Sequence, residues 1–145
     1  MRESDAIDTE SLCIIAGKKV WSVRCDVRVL DDGGNALDCV SLATATALLH
    51  ARRPDITVDG HRVIVHSSDE RAPLPLPIHH VPLCVSFVFF DGATYLCDAT
   101  REEQAAGLGE VVLAVNAHGE LCGARKSGGV PLATSTLTHL TSVAK

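Results

Sequence analysis

The chain has 145 residues and a formal net charge of −5, with 46% apolar and 21% charged residues. This length suits one domain and excludes a second full domain, while the apolar share argues against intrinsic disorder. Only 3% of the residues are aromatic, so a groove of stacking side chains for single-stranded nucleic acid is not expected. The acidic balance argues against autonomous electrostatic binding of nucleic acid, but it leaves a local basic patch open.

The sequence predicts neither a membrane span nor an export signal. The longest apolar stretch, Val81–Phe90, is about half of the ~20 residues that a spanning helix needs. The first ten residues mix charges and lack an apolar core. Without an export signal, scattered cysteines are expected to be reduced and buried, and a disulfide framework is the minority alternative. They are Cys13, Cys25, Cys39, Cys84, Cys97 and Cys122.

A β-hairpin is predicted near the start of the chain. Its strands are Leu12–Ile15 and Val20–Leu30, joined by a turn at residues 16–18. Apolar and polar residues alternate along Val20–Leu30, which is typical of a strand with one buried face and one wet face.

A helix is predicted next, from about Leu37 to Arg52. It follows a cluster of turn residues at 31–35, carries Asp38 in its first turn, and ends before Pro54. Its body is apolar or small nearly all round, which predicts a buried helix packed on a sheet.

The second half of the chain predicts more strands and a final helix. A short hairpin is expected at Ile56–Val58 and Arg62–His66, and an extended connector at Ser67–Pro77, where prolines recur. The later predicted elements are strands at Leu83–Phe90, Thr94–Cys97, Val111–Asn116 and Glu120–Arg125, a loop at 126–129, and a helix from Pro131. This order indicates an α+β domain with a mixed sheet packed by helices.

Two groups of residues suggest metal binding or nucleophilic catalysis only weakly. The adjacent His79 and His80 diverge on a strand or loop, and such pairs rarely chelate one metal. A pair of Cys13 or Cys84 with a histidine lacks a third group to orient it. We therefore predict no metal site, no cofactor and no nucleophilic pair.

Acidic and glycine-rich turns are the other candidates. The carboxylates of Asp98, Glu102 and Glu103 are compatible with Mg²⁺, although a solvated acidic loop is the more common outcome. The turn Gly33–Gly34 precedes a helix and could cradle an anion. Asp38 argues against this, because it places a negative charge where the anion would sit.

Four segments, in this order and spacing, resemble a known family. They are Arg2–Asp38, His50–Asp55, Pro75–Phe90 and Lys126–Val130. Together they resemble the RNase PH family, in the form found in ring subunits of the exosome. The resemblance implies an α+β fold that corresponds to the second half of the RNase PH domain, with its last helix cut short. On this resemblance the partial domain has two parts. Residues of about 1–66 form a hairpin and the buried helix, and residues of about 78–145 form the C-terminal strands and a truncated helix.

The resemblance also implies that catalysis is lost. Active members cleave RNA from its 3′ end with inorganic phosphate, which they hold with hydroxyl and Arg side chains at a turn. That turn matches Asn35, Ala36 and Leu37 here, and none of these residues is a cation. Active members also place two acids on a strand pair, and the match puts Glu103 and Gly109 at those positions. Losing both features should abolish phosphorolysis, which relies on positioning and charge neutralisation.

The resemblance therefore predicts a non-catalytic structural subunit of the exosome ring, acting in rRNA maturation and mRNA turnover in the nucleus, nucleolus and cytoplasm. Its expected partners are other RNase PH-type subunits within a six-membered ring, S1/KH cap subunits, and RNA, but no membrane. Arg2 is the residue expected to face RNA. Two alternatives stay open: an active phosphate-dependent 3′-exoribonuclease, and a degenerate fragment without a stable fold.

Overall fold

The computed structural model describes residues 4–129 and 131–145. Arg2, the residue expected to face RNA, lies outside the described residues. The strands are β1 (Cys13–Ile15), β2 (Lys19–Val20), β3 (Arg52–Arg53), β4 (Ile56–Asp59), β5 (Arg62–Val65), β6 (Leu74–Pro75), β7 (Leu83–Phe89), β8 (Tyr95–Cys97), β9 (Gly109–Val115) and β10 (Leu121–Gly128). The helices are α1 (Ala36–His50), α2 (Arg101–Ala106) and α3 (Thr134–Val143). Among the described helices, none has the length and apolar character needed to cross a membrane.

A four-stranded sheet with the order β10-β9-β7-β8 forms the centre of the fold. Strand β7 pairs with β9 from Leu83 opposite Val115 to Phe89 opposite Gly109. Its apolar run suits this inner position, because strands covered on both faces are apolar throughout. The predicted α+β class is confirmed. Every strand pair that the structure describes is antiparallel, so the mixed pairing expected for the sheet is not found in this part of the chain.

The main core lies between one face of this sheet and α3. Tyr95 packs edge-on against Phe87, with 5.7 Å between the ring centroids. The buried residues of this core are Phe87, Phe89, Val111, Leu113, Val115 and Leu140. The predicted tail helix is confirmed, and α3 contributes Leu140 to this core.

Helix α1 covers the opposite face of β7. The side chain of Ser86 contacts Asp38 of α1, whereas its neighbour Phe87 points into the core on the α3 side, as the alternation of a strand requires. The predicted packing of this helix on a sheet is confirmed. The prediction that it is buried nearly all round is wrong, because Leu42 is 58% exposed and Leu49 is 51% exposed. The sheet covers only one side of the helix.

The strand predicted at Val20–Leu30 is wrong beyond its first residue. The hairpin of β1 and β2 forms as expected, but residues 21–30 have no ladder partner within the described part of the chain. Val27 is 51% exposed and Leu30 is 91% exposed. A strand needs a neighbour for its backbone hydrogen bonds, so alternation alone does not form one.

The remaining local predictions are mostly confirmed. Strands β4 and β5 form the expected hairpin. The short pair of β3 with β6 and the helix α2 were not predicted from the sequence. The loop predicted at 126–129 is wrong over most of its length, because β10 continues to Gly128, which pairs with Gly109.

The cysteines differ from the prediction in their burial. All six are free thiols, but Cys84 and Cys122 are only half-buried. The others are exposed: Cys13, Cys25, Cys39 and Cys97. Four of the six cysteines are therefore exposed, so the usual preference of this residue type for burial is not met at these positions.

Candidate functional site

The expected phosphate turn and the acidic loop meet at the start of α1. The backbone amide of Arg101 donates to the carbonyl oxygen of Gly33 at 3.0 Å. Gly34 has φ of +113°, and a Cβ atom there would lie 2.5 Å from the carbonyl oxygen of Ala99. Residue 34 must therefore be glycine both for its backbone conformation and for the close approach to the chain before α2.

Asn35 is the side chain that joins these two segments. Its backbone is left-handed, with φ of +49°, and only 7% of the residue is exposed. The side-chain amide nitrogen Nδ2 of Asn35 donates to a carboxylate oxygen of Asp38 at 2.9 Å and to one of Asp98 at 2.8 Å. Two carboxylates therefore face the first turn of α1, at the place where active relatives are expected to hold phosphate.

Asp38 also fastens α1 to the sheet. Its carboxylate accepts hydrogen bonds from the backbone amide of Ser86 at 3.0 Å and from the hydroxyl of Ser86 at 2.7 Å. Together with Asn35, three donors satisfy this one carboxylate. A negative charge in the first turn is also favourable to the helix dipole. Asp38, whose charge would repel an anion at this turn, therefore has a structural role: it holds α1 on the sheet.

The other two residues of the expected phosphate turn begin α1. Ala36 offers no polar group, and Leu37 is 39% exposed with an apolar side chain. Residues 31–38 contain three aspartates and neither Lys nor Arg. The local charge therefore repels a phosphate ion, and the free backbone amides of the helix start are its only favourable feature.

The two positions matched to the acid pair have structural roles. Glu103 accepts a hydrogen bond from the amide of Thr100 at 2.8 Å, and the hydroxyl of Thr100 accepts one from the amide of Glu103 at 3.3 Å. This reciprocal pair is a capping box for α2. Gly109 begins β9, and a Cβ there would lie 3.1 Å from the carbonyl oxygen of Ser127. The backbone of β10 therefore packs closely where the second acid would project.

Glu110 is a carboxylate at this site that sequence reasoning missed. With Gln104, Leu108 and Gly109 it lines a cavity of about 420 Å³ at one end of the sheet. Gln104 donates to Glu110 at 3.5 Å and accepts from the backbone amide of Asn35 at 3.4 Å. The neutral side chain of Gln104 thus connects the turn before α1 to strand β9 by two long hydrogen bonds. In the sequence, Glu110 could have been noticed as the single charged residue at the start of the otherwise apolar strand β9.

The thiol at this site is not activated for nucleophilic attack. Although Cys97 is exposed overall, partial desolvation of its thiol, together with the charge of Asp38, raises its pKa above the ordinary value of 9.0. The thiolate is the reactive form of cysteine, so a raised pKa lowers its population near neutral pH. Cys97 therefore stays a neutral thiol beside Asp98.

The weaker candidates are not assembled into sites. The backbone amide of His79 donates to the carbonyl oxygen of Ala6, and that of Cys84 donates to the hydroxyl of Ser41. In the hydrogen bonds of residues 4–129 and 131–145, neither Cys13 nor Cys84 contacts a histidine. Over the same residues, no three His, Cys, Asp or Glu side chains converge as metal ligands would.

Two family profiles match this chain. The profile for the 3′ exoribonuclease family RNase PH, domain 1, matches residues 7–54. The profile for domain 2 of the same family matches residues 80–144. The interval between the two matches, residues 55–79, contains strands β4, β5 and β6 and precedes β7.

Curated relatives match along almost the whole chain. Exosome complex component RRP45 of Homo sapiens is 44% identical over an alignment of 145 positions, which covers 99% of this chain and 33% of that relative. Exosome complex component RRP45A of Arabidopsis thaliana is 46% identical over an alignment of 143 positions, which covers 96% of this chain and 47% of the relative. The rrp45 component of Schizosaccharomyces pombe is 45% identical over 131 residues, 90% of this chain and 45% of the relative. The chain thus spans between about a third and a half of these proteins.

Solved structures show the same fold. An archaeal exosome core matches with a TM-score of 0.80 and 31% identity, over 98% of this chain and 53% of that chain. The Archaeoglobus fulgidus exosome with RNA bound to the active site matches with a TM-score of 0.78 and 32% identity, over 98% of this chain and 52% of that chain.

Proposed function

The chain belongs to the RNase PH family of 3′ exoribonucleases, and on this premise we propose that it is a non-catalytic structural subunit of an RNA exosome ring. It would support rRNA maturation and mRNA turnover in the nucleus, nucleolus and cytoplasm. Its neighbours would be other RNase PH-type subunits, with S1/KH subunits as a cap and RNA passing through the ring. The proposal draws on relatives of which the chain spans about a third.

One observation carries the non-catalytic part of this proposal. The carboxylates of Asp38 and Asp98 both bind the amide of Asn35 at the start of α1. Phosphorolysis needs a phosphate ion at this turn. Two unit charges of like sign 4 Å apart repel by about 4 kcal/mol in the environment of a protein surface. A repulsion of that size lowers the affinity for phosphate by about a thousandfold, since each 1.4 kcal/mol is a factor of ten.

The acid positions support the same conclusion. Glu103 caps α2 through its carboxylate, and Gly109 has no side chain. Acid–base work at this strand pair needs a carboxylate within hydrogen-bond reach of the reacting group. Glu110 is the nearest replacement, and its carboxylate faces the neutral side chain of Gln104.

The distribution of apolar surface supports the ring role. Leu30, Leu42 and Leu49 are each more than half exposed, together with Val27. Exposed apolar groups of this kind suit a subunit that buries them against a partner. A ring subunit has a neighbour on each side, so such surfaces are expected of it.

Affinity purification of the tagged chain from its own cells tests the ring role. We expect RNase PH-type and S1/KH-type subunits to be recovered in comparable amounts, as measured by mass spectrometry. The matched variants are Leu42→Glu and Arg101→Glu, which place a new acid on the apolar helix face and on a polar surface, respectively. Recovery of the chain alone, from cells that contain an assembled exosome, would refute the ring role.

A separate assay tests the alternative of an active phosphorolytic nuclease. The purified chain is incubated with a single-stranded RNA and inorganic phosphate, and nucleoside diphosphates are quantified by chromatography. We expect no phosphate-dependent release above the background without protein. Release that disappears when phosphate is omitted would establish the active alternative and refute the non-catalytic reading.

A further inference from the structure

Two hairpin tips that are distant in sequence meet on the surface. The turn between β1 and β2 carries Lys18, and the turn between β4 and β5 carries His61. The ammonium nitrogen of Lys18 lies 3.4 Å from Nδ1 of His61. Each tip has a second basic residue next to the first, Lys19 on one and Arg62 on the other. We call these four residues the basic hairpin patch.

The contact between the tips fixes the hydrogen-bonding role of His61. An ammonium group can only donate a hydrogen bond, so Nδ1 of His61 is the acceptor in this contact. Lys19 and Arg62 add two further cationic side chains, one next to each residue of the contact in the chain. All four residues are exposed, so each donor is accessible to a ligand.

The positive charge of the basic hairpin patch is not neutralised within the described residues. Three ion pairs occur in that part of the chain, and none includes a patch residue. The ladder of the second hairpin places Asp59 opposite Arg62, yet these two side chains form no ion pair there. In a chain with 18 acidic and 13 basic residues, an uncompensated group of three cations is a local reversal of charge.

We infer that the basic hairpin patch binds the phosphate backbone of single-stranded RNA without sequence preference. Neither hairpin contains Phe, Tyr or Trp, so base stacking is not offered, and phosphate contacts carry no sequence information by themselves. A single strand is narrow and can touch the four donors alone. The choice of RNA as the polyanion rests on the proposed function.

RNA binding by the full chain tests the inference directly. The affinity for a fluorescent 20-nucleotide poly(U) is measured by anisotropy between low and physiological salt. The patch variant is Lys18→Glu with Arg62→Glu, and the control is Arg101→Glu with Arg125→Glu, which changes the net charge equally. We expect the patch variant to bind at least tenfold more weakly and the control less than threefold. The slope of log affinity against log salt should fall by about 1.4 in magnitude for two lost phosphate contacts.

In the anisotropy assay, two results would overturn the inference: equal losses in the two variants, or no binding by the wild-type chain at low salt. Thermal unfolding shows whether each variant is folded. If the double Glu variant is not folded, the milder Lys18→Gln with Arg62→Gln replaces it, with an expected loss of about threefold or more.

The outcomes separate this inference from the proposed ring function. If the affinity-purified patch variant retains the ring subunits but yields less cross-linked RNA than the wild type, both the ring proposal and the patch inference are supported. If it yields as much cross-linked RNA as the wild type, the patch inference fails and the ring proposal stands. If the wild type recovers no ring subunits, the ring proposal fails, and anisotropy still decides the patch. An acidic protein lost from the variant, with poly(U) affinity unchanged, would make the patch a protein contact instead.

Discussion

Residues 83–143 and residues 13–65 both contain apolar segments predicted to be strands, but the burial of these segments is very different. In the first region Phe87 and Phe89 are almost fully enclosed, at 0% and 1% exposed. In the second, Val27 and Val29 alternate with polar residues as a half-buried strand would, yet they are 51% and 53% exposed. The difference teaches that alternation defines an apolar face, whereas burial depends on what another element places over that face.

The physical cause of the difference is the number of neighbours. Strand β7 has a strand on each side, α3 on one face and α1 on the other. The hairpins of residues 13–65 have two to four residues in each strand, and a two-stranded hairpin alone is marginally stable in water. Most of the free energy of folding is therefore expected to come from residues 83–143.

Truncating one side chain from each region gives the largest predicted effect. Phe87→Ala removes a fully buried ring and should lower the free energy of unfolding by about 3–5 kcal/mol, because it leaves a cavity between the sheet and α3. Leu30→Ala should change it by less than about 0.5 kcal/mol, since the side chain is exposed. Urea unfolding followed by circular dichroism measures both values. Comparable losses for the two variants would contradict the comparison.

A substitution at the joint between the regions should have the next largest effect. Gly34→Ala combines a strained positive φ with a Cβ that would overlap the chain before α2, and it should destabilise by about 2 kcal/mol or more. Gly33→Ala is the matched control, because no atom lies within 4 Å of a Cβ there. Urea midpoints compare the two. If Gly33→Ala were the more harmful change, the described contact of the turn with α2 would be wrong.

Removing one buried serine hydroxyl and one near the surface tests the same difference in burial with a smaller expected change in the free energy of unfolding. The hydroxyl of Ser86 donates to the carboxylate of Asp38 in a site that is 3% exposed, so Ser86→Ala should cost about 1.5–3 kcal/mol. The hydroxyl of Ser11 donates to a backbone carbonyl near the surface, and Ser11→Ala should cost about 0.5 kcal/mol. Calorimetric or urea unfolding of the two variants provides the measurement. A larger loss for Ser11→Ala would reverse the assignment of the stable region.

The smallest predicted effect concerns two surface aspartates at low pH. A hydrogen bond from Arg71 holds the pKa of Asp55 below its ordinary value of 3.8, and backbone amides of Thr94 and Ala93 do the same for the pKa of Asp91. Because each folded-state pKa is lowered, each contribution to stability is present above pH 3.8 and is lost as the pH falls through the folded-state value. When the thermal unfolding midpoint is measured against pH, Asp55→Asn and Asp91→Asn should each reduce the fall of the midpoint at acidic pH.

Salt distinguishes these two aspartates. Added salt screens an exposed ion pair, so 0.5 M NaCl should reduce the effect of Asp55→Asn, which breaks the pair with Arg71. It should leave the effect of Asp91→Asn nearly unchanged, because that carboxylate is held by backbone amides. Equal salt sensitivity would show that the ion pair of Asp55 with Arg71 does not contribute.

Elements whose evidence is local could be predicted from the sequence. The strand predicted at Leu83–Phe90 agrees with β7 to within one residue. This run could be predicted as a strand because it is too short for a buried helix and is bounded by a proline and a turn. Helix α2 was missed, although Thr100 and Glu103 have the spacing of a capping box. Its six residues carry too little apolar periodicity to indicate a helix.

The geometry of the candidate site could be predicted only in part. The absence of a cation at Asn35, Ala36 and Leu37 is readable from the sequence alone. The contact of Asn35 with Asp98 joins residues 63 positions apart, and no local pattern encodes such a contact. The bridge through Gln104 to Glu110 depends in the same way on how α2 lies against β9.

The three hydrogen bonds on Asp38 also bear on how easily the turn at Asn35, Ala36 and Leu37 could acquire a phosphate-binding group in evolution. An Arg introduced in this turn would meet a carboxylate that Ser86 and Asn35 already hold. Removing Asp38 to free the turn would leave the buried amide and hydroxyl of Ser86 without an acceptor, which is costly. Removing this negative charge from the turn therefore passes through a less stable protein. The hydrogen bonds that hold α1 on the sheet thus also keep a carboxylate at the turn.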